Sequence, residues 1–251
     1  MMMNKRPLFY DIYNFVLSLF YPKRCIFCNE IVSPFSHICN DCDETLPKID
    51  SEICMLCGAL KSDCVCKGRH GNFYDGVAAP LYYEGDVKRC IHGFKFYDER
   101  LNYEGLGDMM TKALYRYYAD IDFDYITCIP IRKTNLKKRG YNQSRLLAKR
   151  VSDNTGIVLA DDMLVKIYDT PSQRGVTELE RKGNVAGVFD VNVEKYDVTN
   201  KNILIADDVK TTGTTLSECG KMLYLAGANK VYCLTAAVVN SKIKENHREE
   251  E

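Results

Sequence analysis

The chain has 251 residues, which is long enough for one sizeable domain and a smaller one. Its composition, with 46% hydrophobic and 27% charged residues, is that of a soluble globular protein. The 34 basic and 34 acidic side chains cancel, so overall charge gives no attraction to nucleic acid or anionic membranes. Any such binding must come from a local patch.

The most apolar segment lies in residues 1–22. It includes PLFYDIYNFVLSLFYP, which contains Asp11 and Asn14 and is too short to span a bilayer. It also lacks the small-residue cleavage site of a signal peptide. We therefore predict an amphipathic helix that packs on the protein, with a membrane-surface anchor as the alternative. We expect a cytoplasmic protein without a transmembrane segment, and the sequence leaves the oligomeric state open.

Eight of the twelve cysteines lie between residues 25 and 66, a clustering that favours metal binding over scattered structural thiols. A C-x-x-C pair places two thiolates on one side of a tight turn, and two such knuckles complete a tetrahedral zinc site. The simplest pairing predicts two structural Zn²⁺ sites. Their ligands are Cys25, Cys28, Cys39 and Cys42, followed by Cys54, Cys57, Cys64 and Cys66.

Two features of this cysteine module, residues 23–70, leave alternatives open. Cys64 and Cys66 are separated by one residue, so this pair departs from the knuckle spacing. An interleaved pairing and a redox-active or disulfide-linked set are the alternatives to two consecutive sites. Because a module of this size has little core, zinc would supply much of its folding free energy.

Residues 71–240 alternate strand-like and helix-like segments, which predicts an α/β domain with a mainly parallel sheet and helices on both faces. A charged tail, residues 241–251, follows. The predicted strands are GVAAPLYYE, YITCIPI, residues 163–167, VFDV, NILIADDV and KVYCLTAAVV. Residues 88–97 form a short amphipathic segment, and the predicted helices are residues 101–118, 143–153 and 215–225.

The strongest strand leads into the segment ILIADDVKTTGTTL, residues 203–216. It delivers Asp207 and Asp208 at its carboxyl end, where ligands of parallel sheets bind. The following residues, Val209–Thr215, offer backbone N–H groups and four threonine hydroxyls at a helix N-terminus, which suits a phosphate dianion. Neither a Walker loop nor a Rossmann dinucleotide loop is present in the sequence. The expected ligand is a sugar with a 5′-phosphate and vicinal hydroxyls, with carboxylates that bind the hydroxyls directly or through Mg²⁺.

This segment resembles the phosphoribosyl pyrophosphate (PRPP) motif of type I phosphoribosyltransferases. With the cysteine module and the segments IPIRKTNLKKRGYNQSRLLA and TPSQRGVTELERKGNVAGVF, the chain resembles the ComF/GntX family, also called the ComFC competence family, from about residue 22 to 239. The resemblance implies a type I phosphoribosyltransferase fold after a double zinc ribbon, with PRPP and Mg²⁺ as ligands. Asp207 and Asp208 are the implied catalytic residues. The implied PRPP-binding residues are Lys95, Arg139, Gly140, Val209, Lys210, Thr211, Thr212, Gly213, Thr214 and Thr215.

The basic segment, residues 132–150, carries eight Lys and Arg residues and no acid. By resemblance it is a loop beside the pyrophosphate, with Arg139, Gly140, Asn142 and Gln143 matching the family motif. Such a cationic loop suits an anion with several charges. A solvated helix face, chiefly at Lys149 and Arg150, is one alternative. A patch for DNA phosphates is another, although Tyr141 is its only aromatic candidate for stacking.

The polar segment between residues 170 and 189 suits a mobile lid that excludes water from a reacting ribosyl group. Gln173, Arg181 and Asn184 match the family positions of this lid, and an ordinary loop is the alternative. Lys95 matches a family lysine, with a surface lysine as the alternative.

Two hypotheses follow from these residues. The first is a Mg²⁺-dependent phosphoribosyltransferase with an unknown acceptor, in which Asp207 or Asp208 stabilises positive charge developing on the ribose. The second is a non-catalytic, PRPP-sensing accessory protein of DNA uptake in natural competence. It would bind single-stranded DNA or a competence helicase through the zinc module and the basic segment.

Overall fold

The computed structural model describes residues 22–66, 71–97, 99–167 and 188–240. The contacts divide the chain into two compact units, Met1–Leu46 and Pro47–Glu251. The predicted N-terminal helix (residues 1–21) and charged tail (residues 241–251) lie outside the described residues, and the domain boundary near residue 70 stays a prediction. None of the helices in the described ranges has the length and apolar character needed to cross a bilayer.

Six α-helices and eight β-strands occupy the described ranges. The helices are α1 (Asn40–Thr45), α2 (Gly85–Phe96), α3 (Asn102–Tyr117), α4 (Lys133–Arg139), α5 (Gln143–Thr155) and α6 (Thr214–Leu225). The strands are β1 (Gly76–Ala78), β2 (Leu81–Tyr82), β3 (Tyr125–Cys128), β4 (Val158–Leu159), β5 (Leu164–Lys166), β6 (Phe189–Val191), β7 (Asn202–Lys210) and β8 (Lys230–Val238). A 3₁₀ turn covers Lys61–Asp63.

A six-stranded parallel sheet forms the centre of the second unit. Its order is β1-β8-β7-β3-β4, and β2 also pairs with β8. The central strands β7 and β8 pair along most of their length, from Asn202 opposite Lys230 to Lys210 opposite Val238. Both strands are apolar runs buried on the two faces, as expected for a covered parallel sheet. Strands β5 and β6 form a separate antiparallel pair.

Helices cover both faces of the sheet. Ile203 and Ile205 of β7 pack in one apolar cluster with Leu216 and Leu223 of α6 and with the β5–β6 pair. Alternate strand residues face the other way, and α3 and α5 contact the sheet strands there. The structure therefore confirms the predicted fold class, a parallel α/β sheet with helices on both faces and a cysteine-rich module before it.

The strands and longer helices predicted from the sequence are present, with ends that differ by a few residues. One expectation was wrong: the first part of the stretch interpreted as a basic loop is helix α4, Lys133–Arg139. Its lysines and Leu136 have high helix propensity, but with seven residues it gave no periodic apolar stripe to detect. Strand β4 is only two residues long and was not predicted.

Candidate functional site

The eight clustered cysteines form two separate groups of four, matching the simplest pairing from the sequence. Within each group the sulfur atoms lie within 4.8 Å of one another. Zn–S bonds of about 2.3 Å place sulfur atoms roughly 3.8 Å apart in a tetrahedral site. The distances of 3.5 Å between Cys28 and Cys39 and 3.7 Å between Cys57 and Cys64 are close to that value. Both groups fit structural Zn²⁺.

The two groups belong to different units. Cys25, Cys28, Cys39 and Cys42 lie in the first unit, where Cys39 caps α1 by accepting the Cys42 N–H at 3.4 Å. The second group lies in the same unit as the sheet. Although burial opposes it, hydrogen bonds from turn N–H groups lower the pKa of Cys25 and Cys54 to about 7. Thiols held in this way ionise readily and are suited to bind a metal.

A cavity of about 300 Å³ lies at the carboxyl ends of β3 and β7. Asp207 and Asp208 line it, with Thr215 from the start of α6. The remaining lining comes from α2, the β3–α4 connection, α4, α5 and the β5–β6 pair, and includes Lys95, Ile129, Pro130, Ile131, Arg132, Asn135, Arg139, Asn142, Gln143, Ser144, Lys166, Val188 and Phe189. Carboxylates, several cations and a helix N-terminus therefore surround one cavity.

Side chains from two other elements hold the pair of acids. The Ser144 hydroxyl, in the first turn of α5, donates to Asp207 Oδ1 at 2.7 Å. The Lys95 ammonium, in the last turn of α2, lies 2.8 Å from Asp208 Oδ1. Burial and the charge of Asp208 raise the pKa of Asp207 to about 7, against the opposing effects of Ser144 and Lys95. Burial opposes the charge of Lys95, but its ion pair with Asp208 holds its pKa above the usual value.

The loop predicted to bind phosphate, Thr211–Thr215 (the phosphate loop), is separated from the acids by two residues. Strand β7 extends to Lys210, so Val209 and Lys210 are strand residues rather than part of the loop. Gly213 caps α6 with a left-handed φ of 81°, a conformation that L side chains rarely adopt. The hydroxyls of Thr212 and Thr214 lie 3.0 Å apart at the helix N-terminus. The loop thus directs hydroxyls and the first N–H groups of α6 to one place, as anion binding requires.

The family-like motif at residues 139–143 mainly positions other groups. Arg139 lines the cavity and donates to Gln143 Oε1 at 3.0 Å. Asn142 caps α5 by accepting the Ser144 N–H at 3.1 Å and donates to the Ile129 carbonyl at 3.0 Å. Asn142 thereby fixes the helix turn from which Ser144 reaches Asp207. Gly140 follows α4 and is exposed.

Ser144, Arg132 and Asn135 are cavity residues that sequence reasoning missed. Ser144 directly follows the matched motif, and Arg132 directly follows the strand segment CIPI, so position in the sequence was the available signal. A single serine or asparagine does not form a recognisable sequence motif. The proximity of Ser144 to Asp207 is therefore visible only in the three-dimensional structure.

The basic segment separates into two groups of cations. On α5, Lys149 is exposed and pairs with Asp153 at 2.7 Å, as the alternative of a solvated helix face expects. Arg150 is half-buried and pairs with Asp108 at 2.7 Å, so it is not a solvated residue. Arg145 also pairs with an acid, Asp161. On α4, by contrast, the lysines are exposed and Arg139 turns toward the cavity.

Tyr141 is not an exposed stacking residue, contrary to the sequence expectation. It is 8% exposed and its hydroxyl donates to the Phe94 carbonyl at 2.5 Å. Exposed aromatic rings occur instead at Phe96 and Tyr97, at the end of α2. The lid residues Gln173, Arg181 and Asn184 lie outside the described residues. The flanking Lys166 and Phe189 line the cavity.

Comparison with known proteins identifies relatives along most of the chain. The model of the double zinc ribbon domain matches residues 16–69. Competence protein F of Haemophilus influenzae is 24% identical over 227 residues, covering 84% of this chain and 95% of the relative. Competence protein ComFC of Bacillus subtilis is 26% identical over 209 residues, covering 78% and 82%. Among solved structures, an adenine phosphoribosyltransferase gives a TM-score of 0.40 at 15% identity, over 60% of this chain and 78% of that one. The sequence relatives confirm the family resemblance seen in the motifs.

Proposed function

We propose that this chain, a homologue of competence protein F and ComFC with an N-terminal double zinc ribbon, binds PRPP with Mg²⁺ and transfers its ribosyl phosphate to an acceptor. One observation supports this most strongly: Asp207, Asp208 and the N-terminus of α6 surround a single cavity that also contains several cations. Few small ligands present vicinal hydroxyls, a terminal monophosphate and a pyrophosphate together. We further propose that the protein acts in the cytoplasm, in DNA uptake, in line with the names of its relatives.

In this proposal, different residues of the site bind different parts of PRPP. The phosphate loop receives the 5′-phosphate on its N–H groups and hydroxyls. Asp207 and Asp208 accept hydrogen bonds from the ribose hydroxyls, and their oxygens are the ligands that Mg²⁺ prefers. Arg132 and Arg139 line the same cavity and would bind the charged pyrophosphate. When bound, Mg²⁺ would offset charge on the pyrophosphate as it leaves.

In the transfer, the bond between ribose C1 and the pyrophosphate oxygen breaks, and pyrophosphate leaves with the electron pair. The acceptor forms the new bond at C1 and then loses a proton. Asp207 and Asp208 stabilise the positive charge that develops on the ribose between these two events. The partly enclosed cavity reduces the access of water that would otherwise capture C1.

Calorimetric titration with PRPP, with and without Mg²⁺, tests the binding claim. We expect binding of one PRPP per chain that needs Mg²⁺. The double variant Asp207→Asn/Asp208→Asn should lose at least about 100-fold in affinity, since charge-assisted contacts contribute about 1.5–3 kcal/mol each. Asp153→Asn, at an exposed acid of α5, is the matched control and should bind as the wild type does. Wild-type protein that fails to bind PRPP, or a double variant with unchanged affinity, would refute the assignment.

Pyrophosphate release from PRPP across a panel of purines, pyrimidines and ammonia tests the transfer itself. Turnover with one member, lost in the double variant, supports the transferase. If PRPP binds but none of the acceptors is converted, the protein is a PRPP sensor and the transferase activity is refuted.

A second function, binding of single-stranded DNA by a competence accessory protein, is favoured by the surface around α4. Lys133, Lys137 and Lys138 are exposed there. Phe96 is 52% exposed, Tyr97 is 70% exposed, and the Arg139 guanidinium lies 4.8 Å from the Phe96 ring centroid. Cations beside exposed rings are the usual elements of single-strand binding. A helicase partner would use the same surface or the zinc module.

Binding of a labelled oligonucleotide at several salt concentrations tests this second function. Lys137→Ala/Lys138→Ala should weaken binding and reduce the salt slope by about two. Lys149→Ala, whose lysine pairs with Asp153, is the control and should change neither quantity. An equal loss of affinity in both variants, or an affinity that does not depend on salt concentration, would contradict this interface.

A further inference from the structure

We propose that the second four-cysteine site supports the phosphate loop, so that the zinc bound there fixes the position of the residues that bind the 5′-phosphate. The proposal rests on the proposed function for the identity of the ligand. Its structural part, a link between Cys54–Cys66 and Thr211–Thr215, stands on contacts within one compact unit. In this view the cysteine site is a part of the ligand site as well as of a folding module.

The knuckle turn at Cys54–Cys57 packs directly on the sheet. The Val77 N–H of β1 donates to the Met55 carbonyl at 2.9 Å. Gly58, which ends this turn with a φ of 78°, lies so close to the sheet that a Cβ there would be 3.1 Å from Val238 Cγ1 of β8. The metal-binding turn is therefore fixed against the strand that neighbours β7.

The Tyr74 side chain lies between this turn and the phosphate loop. The Tyr74 hydroxyl donates to the Leu56 carbonyl, between the two cysteines of the knuckle, at 3.1 Å, and receives a hydrogen bond from Asn72 at 2.8 Å. The same hydroxyl is 3.1 Å from the position that a Cβ of Gly213 would occupy. Tyr74 is 5% exposed, so its ring has little freedom to move away from the loop. The knuckle carbonyl and the loop glycine thus contact one rigid side chain.

Lys210 provides an electrostatic link between the second cysteine site and the phosphate loop. Lys210 is 8% exposed. Its Cε lies 3.1 Å and its Nζ 3.7 Å from the position that a Cβ of Gly213 would occupy. Its ammonium makes no hydrogen bond or ion pair with another described residue. Burial lowers the pKa of Lys210, and Cys57 and Cys233 oppose this shift electrostatically. A zinc ion with four thiolates keeps a net negative charge, which stabilises a buried cation nearby. The ammonium beneath the loop in turn favours a bound phosphate dianion.

The first cysteine site gives an internal comparison for this proposal. It has the same ligand chemistry, but it belongs to the other compact unit. Loss of zinc from the first site should therefore leave the phosphate loop unchanged. Loss of zinc from the second site should release the knuckle turn, and with it Tyr74 and Lys210.

Hydrogen exchange of the full-length, zinc-loaded chain, followed by mass spectrometry on peptides that cover residues 209–217, tests the link without any ligand. Cys57→Ser should bind one zinc fewer and exchange its loop amides about ten-fold faster, as expected when a local support of roughly 1.4 kcal/mol is lost. Cys39→Ser should also bind one zinc fewer, with loop exchange as in the wild type. Equal loop exchange in the two variants overturns the proposal.

Tyr74→Phe keeps the test decisive if Cys57→Ser does not fold. It retains all eight ligands and removes only the hydroxyl that joins the Leu56 carbonyl and the loop. We expect full zinc content with loop exchange several-fold faster than in the wild type, in keeping with a lost hydrogen bond of about 1 kcal/mol. Unchanged loop exchange in Tyr74→Phe overturns the proposal. A wild type that does not bind PRPP refutes the proposed function and leaves this exchange result unaffected.

Discussion

The acids of β7 and the phosphate loop that follows them are neighbours in sequence, but they are held in different ways. Lys95 of α2 and Ser144 of α5 fix Asp207 and Asp208, so the geometry of the acids depends on tertiary structure. The loop takes its backbone conformation from its own residues, with left-handed Gly213 at the start of α6, while Tyr74 and Lys210 lie against it. The comparison shows that one motif combines a loop whose local conformation depends on one glycine with an acid pair whose charge is set by distant residues.

Among single substitutions, the largest expected effect is at the loop. Gly213→Ala places a side chain at a φ of 81°, 3.1 Å from both Lys210 Cε and the Tyr74 hydroxyl. A left-handed conformation alone costs an L residue about 1–2 kcal/mol. We expect affinities for PRPP and for ribose 5-phosphate to fall together by at least about ten-fold, because both ligands use the loop. Calorimetric titration with each ligand measures this.

Gly156→Ala is the matched control for that variant. Gly156 ends α5 with a φ of 82°, and no atom lies within 4 Å of its Cβ position. The control should lose a similar amount of free energy of unfolding while keeping its affinity for both ligands. A Gly213→Ala protein that binds as well as the Gly156→Ala protein would show that the loop is not the phosphate site.

A smaller effect is expected at the acids, where binding should depend on pH. Because the pKa of Asp207 is raised to about 7, its carboxylate is partly protonated near neutrality. Mg²⁺-dependent PRPP affinity should therefore rise as the pH increases from about 6 to 8 and then level off. Lys95→Met removes a cation that lowers the pKa of Asp207, so the midpoint should move upward by about one pH unit.

Titrations of PRPP across this pH range give the midpoint for each variant. Asp207→Asn is the control, since it has no carboxylate to titrate at this position and should retain only the pH response of the ligand phosphates. A midpoint that is the same in the wild type and in Lys95→Met would contradict the role assigned to Lys95.

The parts of the site that could be predicted from sequence are those set by local chemistry. The loop glycine, its threonines and the adjacent acids lie within one short segment, and the C-x-x-C knuckles have a fixed ligand spacing. Helix α4 was taken as a loop because seven residues carry no useful periodicity. Ser144 was missed because its contact with Asp207 joins residues 63 positions apart. Tyr141 was taken as the exposed aromatic residue of the basic segment, but its ring packs on Phe94.

The second cysteine group shows a further limit of sequence reasoning. The cysteine spacing predicts a module at residues 23–70, and it does not indicate that residues from Pro47 onward group with the sheet in one compact unit. The packing of Gly58 on Val238 and the Tyr74–Leu56 hydrogen bond connect segments that are distant in the chain. No local pattern carries that information.

A crystal structure of the full-length protein with PRPP and Mg²⁺ tests the central claim most directly. We expect the 5′-phosphate on the N–H groups of Thr211–Thr215, the ribose hydroxyls and the metal at Asp207 and Asp208, and the pyrophosphate beside Arg132 and Arg139. PRPP bound outside this cavity, or a 5′-phosphate away from the loop, would contradict the proposed function.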